Sequence, residues 1–191
     1  MRAPDVDADS SAYVVYTVGH SNRTLRDFLQ LITSHEIRAV VDIRRWPSSR
    51  KFPHFNGTVL AQSLADCGIR YIHMEPLGGY RTPRADSINI GLHSNGFRGY
   101  ADHMQTELFQ DTLRQLENLA RSVPTTVMCA EALPWRCHRW LLADLLTLRG
   151  LTVVHLIQPG HTMEHRCTPG AVLQAGVVIY PRSVEGSDTG E

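Results

Sequence analysis

Short apolar runs of strand length alternate with amphipathic segments at helical spacing along most of the chain, and this alternation restricts the fold more than any other feature. Residues 13–18 (YVVYTV), 39–43 (AVVDI), 69–73 (IRYIH), 125–129 (TTVMC) and 152–157 (TVVHLI) are compact runs rich in β-branched residues. Between the first two, Leu25, Phe28, Leu29 and Ile32 recur at helical spacing behind the cap candidates of 21–24 (SNRT). Residues 58–67 read as a helix stopped by Gly68, 97–121 as a long amphipathic helix bending near Gln110, and 137–149 as a helix stopped by Gly150. Strands separated by helices form βαβ units, whose crossovers place helices on both faces of a parallel sheet. The pattern predicts a three-layer α/β/α sandwich with a mainly parallel sheet of about five strands, too few for an eight-stranded barrel. Residues 177–180 add a small extra strand.

At 191 residues the chain has the length of one such domain, expected over 13–181 with disordered tails at 1–12 and 182–191. Its 19 basic and 19 acidic residues cancel, which excludes a uniformly basic nucleic-acid coat while permitting a local basic patch. No apolar run has the length of a membrane span, and the polar N-terminus carries no signal-peptide core, so a cytoplasmic protein is expected. Of the basic residues only Lys51 is a lysine; arginine suits bidentate recognition of phosphate and carboxylate. The Gly- and Pro-containing stretch 76–96 interrupts the alternation and has the length of a lid or binding loop.

In open parallel sheets ligands bind beyond the carboxyl ends of the strands. There the sequence places His20 and Ser21 after the first strand, Asp42 and Arg44 at the second, and Gly78 and Gly79 beyond the third. Beyond the fourth come Cys129, Glu131, Cys137, His138 and Arg139. Cys137 falls near the start of a helix, where free backbone N–H groups and the helix dipole favour a thiolate. It is the candidate nucleophile or redox centre. Glu131 and His20 are acid/base or orienting candidates, Arg44 and Arg139 anion binders, and Asp42 a partner for Arg44. Cys129 reads equally as a small buried residue. Cys129, Cys137 and His138 include zinc-ligand types, although adjacent helical residues point about 100° apart. Cys67 and Cys167 stand outside any cluster. In 42–56 (DIRRWPSSRKFPHFN) basic residues interleave with Trp46, Phe52 and Phe55, a composition that can follow phosphates and stack bases. The familiar phosphate-loop, dinucleotide, zinc-protease and nucleophile-elbow motifs are absent.

The pieces TVGHSNRTLRDFL (17–29), VVDIRRWPSSRKFPHFN (40–56), IRYIHMEPLGG (69–79), FRGYADHM (97–104) and VMCAEALPWRCHR (127–139) together resemble the bacterial and archaeal family called domain of unknown function 488. The segment VHLIQPGHTMEHRCTPGAV (154–172) resembles it more weakly. Family motif positions fall on Gly19, His20, Ser21, Asp42, Arg44, Pro47, Ser49, Gly78, Gly79, Tyr100, Cys129, Glu131, Cys137, His138 and Arg139. The resemblance implies a compact α/β domain without an assigned reaction, cofactor or partner.

The leading expectation is a cytosolic enzyme with a thiol site around Cys137, acting on a small anionic or nucleotide-like substrate, with no metal in its site and no membrane partner. The alternatives are a non-catalytic nucleic-acid-binding or DNA-repair accessory module, and a metal or haem binder using Cys and His.

Overall fold

The computed structural model describes residues 13–182, so the two expected tails, Arg182 apart, lie outside the described residues. In chain order the elements are β1 Val14–Gly19, α1 Leu25–Thr33, β2 Ala39–Asp42, α2 Gly57–Ala65, β3 Arg70–His73, α3 Asn95–Met104, α4 Glu107–Ser122, β4 Thr125–Cys129, α5 Arg139–Leu148, β5 Thr152–Gln158, β6 His161–Glu164, β7 Val172–Gln174 and β8 Val177–Ile179. The main sheet runs β3-β2-β4-β1-β5-β6. Its first five strands are parallel, and β6 turns back antiparallel beside β5. The extra C-terminal strand exists as β8, paired with β7 in a separate hairpin.

Strand alternation divides the core between two faces. Val18, Val40, Met128 and Leu156 meet Phe28, Leu31 and Ile32 of α1 and Leu60 and Leu64 of α2. Val15, Val41, Val127 and Val153 meet α3, α4 and α5 through Tyr100, Leu113, Leu116, Leu141 and Leu145. The architecture is therefore a three-layer α/β/α sandwich. Its central strands β2 and β4 are buried at every position, which explains their unbroken apolar runs.

The expected long helix at 97–121 is two helices. The first ends at Met104 with Gln105 as its C-cap, and Thr106 caps the second, accepting from Phe109 N at 3.3 Å, so the break comes at 105–106 rather than at Gln110. The irregular stretch 76–96 is pinned in place. The buried Asp102 carboxylate accepts Arg84 N, Ser87 Oγ and Asn89 Nδ2 at 2.7–2.8 Å, and Asn89 Oδ1 accepts Tyr180 N.

The topology positions the site. Helices α1 and α2, following β1 and β2, lie on one face, whereas α5, following β4, lies on the other. Because β4 sits between β2 and β1, the chain leaves its carboxyl end in the direction opposite to both neighbours. This opens a crevice above Cys129, the switch-point geometry of doubly wound sheets.

Candidate active site

A cavity of about 720 Å³ occupies this crevice. Cys129, Ala130 and Glu131 contribute from the end of β4, His20 from β1, and Arg44 to Ser49 in part from the loop after β2. Gly79, Tyr80 and Ser94 come from the pinned loop, Phe97 from α3, and Arg136, Cys137 and His138 from the approach to α5.

Gly19 makes the crevice close. The amides of His20 and Ser21 donate to Cys129 O and Ala130 O at 3.0 and 2.9 Å, and a Cβ on Gly19 would fall on the Glu131 carbonyl oxygen. Ser21 takes positive φ (48°) to follow this contact.

The sulfurs of Cys129 and Cys137 lie 2.8 Å apart. The loop after β4 passes through a short turn at Pro134–Arg136, which folds Cys137 back over the strand end. Arg139, 1% exposed, closes the group from beneath. Its NH1 donates to Cys129 Sγ at 2.8 Å and to Glu131 O at 2.7 Å, and its NH2 donates to Ala132 O at 2.8 Å. Burial opposes ionisation of Cys129, but the Cys137 thiol and the Arg139 guanidinium outweigh it and lower its pKa to about 7. Burial and the neighbouring Cys129 raise Cys137 well above the usual thiol range. Arg139 N reaches Cys137 Sγ at 3.5 Å, so the helix-terminus donor expected for Cys137 is present. It is outweighed by burial and by the neighbouring Cys129, and the contact with the Arg139 guanidinium falls to Cys129.

Two imidazoles flank the sulfurs. His138 Nε2 faces Ile43 O at 3.3 Å, so Nδ1 presents a lone pair to Cys137 Sγ at 3.5 Å. A Cβ on Gly79 would stand 2.7 Å from that Nδ1, so glycine there lets the ring approach. His20 Nδ1 bonds Ser21 O at 3.0 Å, its Nε2 accepts from Arg44 NH1 at 3.3 Å, and its ring stacks on Phe55 at 4.3 Å. Burial first, then Arg44, lowers His20 to about 4; burial likewise lowers His138 to about 4. Both are neutral near pH 7 and act as hydrogen-bonding groups.

Asp42 is fully buried and holds Arg44 through NE, NH2 and the backbone N, at 2.6–3.0 Å, while Tyr71 OH donates to it at 2.7 Å. This leaves Arg44 NH1 directed toward His20 and the cavity. Of the other expected site residues, Ser21, Asp42, Gly78 and Arg139 do not line the cavity. Ser21 and Gly78 shape backbone, the Gly78 amide donating to Glu75 O at 2.7 Å. Arg139, expected to bind an anion, spends its NH groups on sulfur and carbonyls. Glu131 is exposed, and its carbonyl rather than its carboxylate meets Arg139.

The outer wall of the cavity is aromatic and basic. Trp46 and Tyr80 are 60% and 80% exposed with ring centroids 5.8 Å apart, and Arg45 lies 4.9 Å over the Trp46 ring. Phe55, from the same segment, is buried in the core instead. Tyr80 and Phe97 are not among the site residues expected from the sequence: Tyr80 is an isolated aromatic in an irregular loop without a spacing signal, and the helical spacing of Phe97 marks it as a packing residue of α3.

A second polar cluster lies under α5. Asp144, His165 and Cys167 hold candidate ligand atoms within 4.8 Å of one another, so Cys167 does not stand apart as expected. The Asp144 carboxylate already accepts His165 Nε2, Thr168 N, Thr168 Oγ1 and Tyr180 OH at 2.7–2.9 Å. His165 in turn meets His155, which meets Thr17. With its acceptor sites filled, the cluster ties β1, β5 and α5 to the C-terminal hairpin.

Among the described residues no helix is long and apolar enough to cross a membrane. Searches of curated proteins and of solved structures find no match to the chain. The family model described as domain of unknown function DUF488 matches residues 24–146, which include every cavity-lining residue except His20. That match spans more than half of the 191 residues, and the chain belongs to the domain of unknown function DUF488 family.

Proposed function

We propose that this chain is a thiol-dependent enzyme, with Cys129 as nucleophile and Cys137 as its proton-bearing partner, acting on a small anionic substrate with a planar ring, of the nucleotide type. The observation that carries the reading is Cys129 Sγ held at 2.8 Å by Arg139 and at 2.8 Å by Cys137 in the floor of a ligand-sized cavity. A thiolate is the nucleophilic form of cysteine, and a cationic partner maintains it near neutral pH. The exposed Trp46–Tyr80 wall offers a face on which a ring can stack. Arg45 beside that wall and Arg44 NH1 within it offer positive charge to an anionic group.

The test is iodoacetamide labelling of the full chain, with the labelled cysteine identified by peptide mass, between pH 5 and 9. Cys129 should reach half its limiting rate near pH 7, and adenosine monophosphate should slow its labelling. Labelling of Cys129 no faster than free glutathione across this range would refute the reading. The same aromatic wall supports a second reading, a single-stranded nucleic-acid surface. Salt-sensitive protection of Cys129 by an oligonucleotide, with none by the mononucleotide, would favour it.

A further inference from the structure

Resting on the reading of Cys129 as the nucleophile, we infer that Cys129 and Cys137 form a dithiol–disulfide couple that exchanges two electrons with small disulfides entering the cavity. A covalent disulfide spans about 2.05 Å, so sulfurs at 2.8 Å need to close by less than ~1 Å. The spacing of eight residues is not the two-residue loop of the common redox motif. Here the pair is assembled by the turn at Pro134–Arg136 and by the amides of His20 and Ser21, which hold the end of β4. Cys129 and Cys137 both line the same cavity, so a substrate that reaches one residue lies beside the other.

The exchange balances as follows. The Cys129 thiolate attacks one sulfur of a small disulfide, such as oxidised glutathione. The substrate S–S bond breaks, and one glutathione thiolate leaves. The departing thiolate takes its proton from water, and Cys137, no longer beside a negatively charged Cys129 once the mixed disulfide has formed, gives its proton to the resulting hydroxide. The new Cys137 thiolate attacks Cys129 Sγ in the mixed disulfide, forming the Cys129–Cys137 bond and expelling the second glutathione, which takes a proton from water. Two thiols have become one disulfide, and the substrate disulfide has become two thiols. Arg139 contacts Cys129 only as long as a thiolate is there to accept. It therefore stabilises the reduced form and makes the pair a comparatively strong oxidant.

The test equilibrates the full-length protein with graded ratios of reduced to oxidised glutathione, blocks the remaining thiols and maps tryptic peptides. Cleavage after Arg136 places the two cysteines in different peptides, so a linked pair is read directly. The expected result is a Cys129–Cys137 link that grows with the oxidised fraction. In Cys137→Ser, glutathione should be trapped on Cys129. In Cys129→Ser no intramolecular link can form, and any glutathione adduct on Cys137 should persist unresolved. The inference is overturned if the wild-type pair stays unlinked while the exposed Cys67 takes up glutathione under the same conditions. Fast iodoacetamide labelling of Cys129 together with an unlinked pair would remove the couple and leave the thiol nucleophile standing. Slow labelling of Cys129 would remove both.

Discussion

Replacing Cys129 with serine tests the electrostatics of the site without any substrate. A folded-state thiol at about pH 7 loses its proton before the unfolded thiol does, whose ordinary pKa is about 8.5. The native state then binds fewer protons than the unfolded state, so stability rises with pH from about 7 to about 8.5. It is lost again as pH falls back through 7. At roughly 1.36 kcal/mol per pH unit, ~1.5 units amount to about 2 kcal/mol, or ~30-fold in the folding constant. Above about 8.5 the sign reverses. Cys137 resists ionisation in the folded chain while its unfolded counterpart ionises, so its contribution falls with rising pH. The wild type should therefore be most stable between about pH 8 and 9. Cys129→Ser should lack the rising limb, whatever its stability at pH 6. Urea unfolding under reducing conditions reads this directly. With a slope near 2 kcal/mol/M, the wild-type midpoint should move up by about 1 M between pH 6.5 and 8.5 relative to the variant. Parallel midpoints for the two proteins over that interval would refute the assignment of the thiolate to Cys129.

Asp42→Asn keeps the shape of the side chain but leaves the buried Arg44 guanidinium without a counter-charge. The expected loss is about 3–5 kcal/mol, a fall of roughly 10 °C in Tm, and a fall under ~3 °C would show that the pair contributes little. The chain should also be acid-labile, because burial lowers His138 to about 4 and His155 to about 3 while their unfolded forms take up protons near 6.5. The contribution of these histidines to stability is then complete above about pH 6.5 and falls steadily toward pH 4. Circular dichroism should show cooperative unfolding in that interval, and a native spectrum at pH 3.5 would contradict it.

The strand order was not legible in the sequence, but the layers, the mainly parallel character of the sheet and the placing of His20, Arg44, Glu131, Cys137 and His138 along one rim were. Each depends on a local period or on the general rule that loops at strand carboxyl ends meet. What was also not legible is which residues on the rim face the cavity and which stand behind it. Arg139 and Cys137 show why. Both lie where the chain enters α5, Cys137 expected as the thiolate and Arg139 as an anion binder, yet Arg139 lies two residues further along and is turned beneath the end of β4. There three acceptors consume its donors. That outcome depends on Gly19, more than a hundred residues away, permitting β1 to press against the loop after β4. The same limit applies to the break at Thr106, where the apolar spacing runs on through a residue whose hydroxyl caps a new helix.

The exchange of roles between the two cysteines follows from the same long-range contacts. Local sequence gives Cys137 the helix N-terminus, an effect worth at most a kcal/mol or two even in favourable settings. It gives Cys129 nothing, since an apolar strand offers a thiol no reason to ionise. The fold adds to Cys129 a charged guanidinium and a neighbouring thiol, each at hydrogen-bond distance inside the protein, where a charge-assisted bond is roughly twice as strong as a neutral one. Two such bonds outweigh one helix terminus, and two sulfurs this close cannot both ionise. Assigning the thiolate to Cys129 therefore fixes Cys137 as the thiol that holds the proton. The pair follows from β4 ending between two strands whose chains depart to the opposite face, because that is where the loop to α5 must fold back over the strand's own last residue.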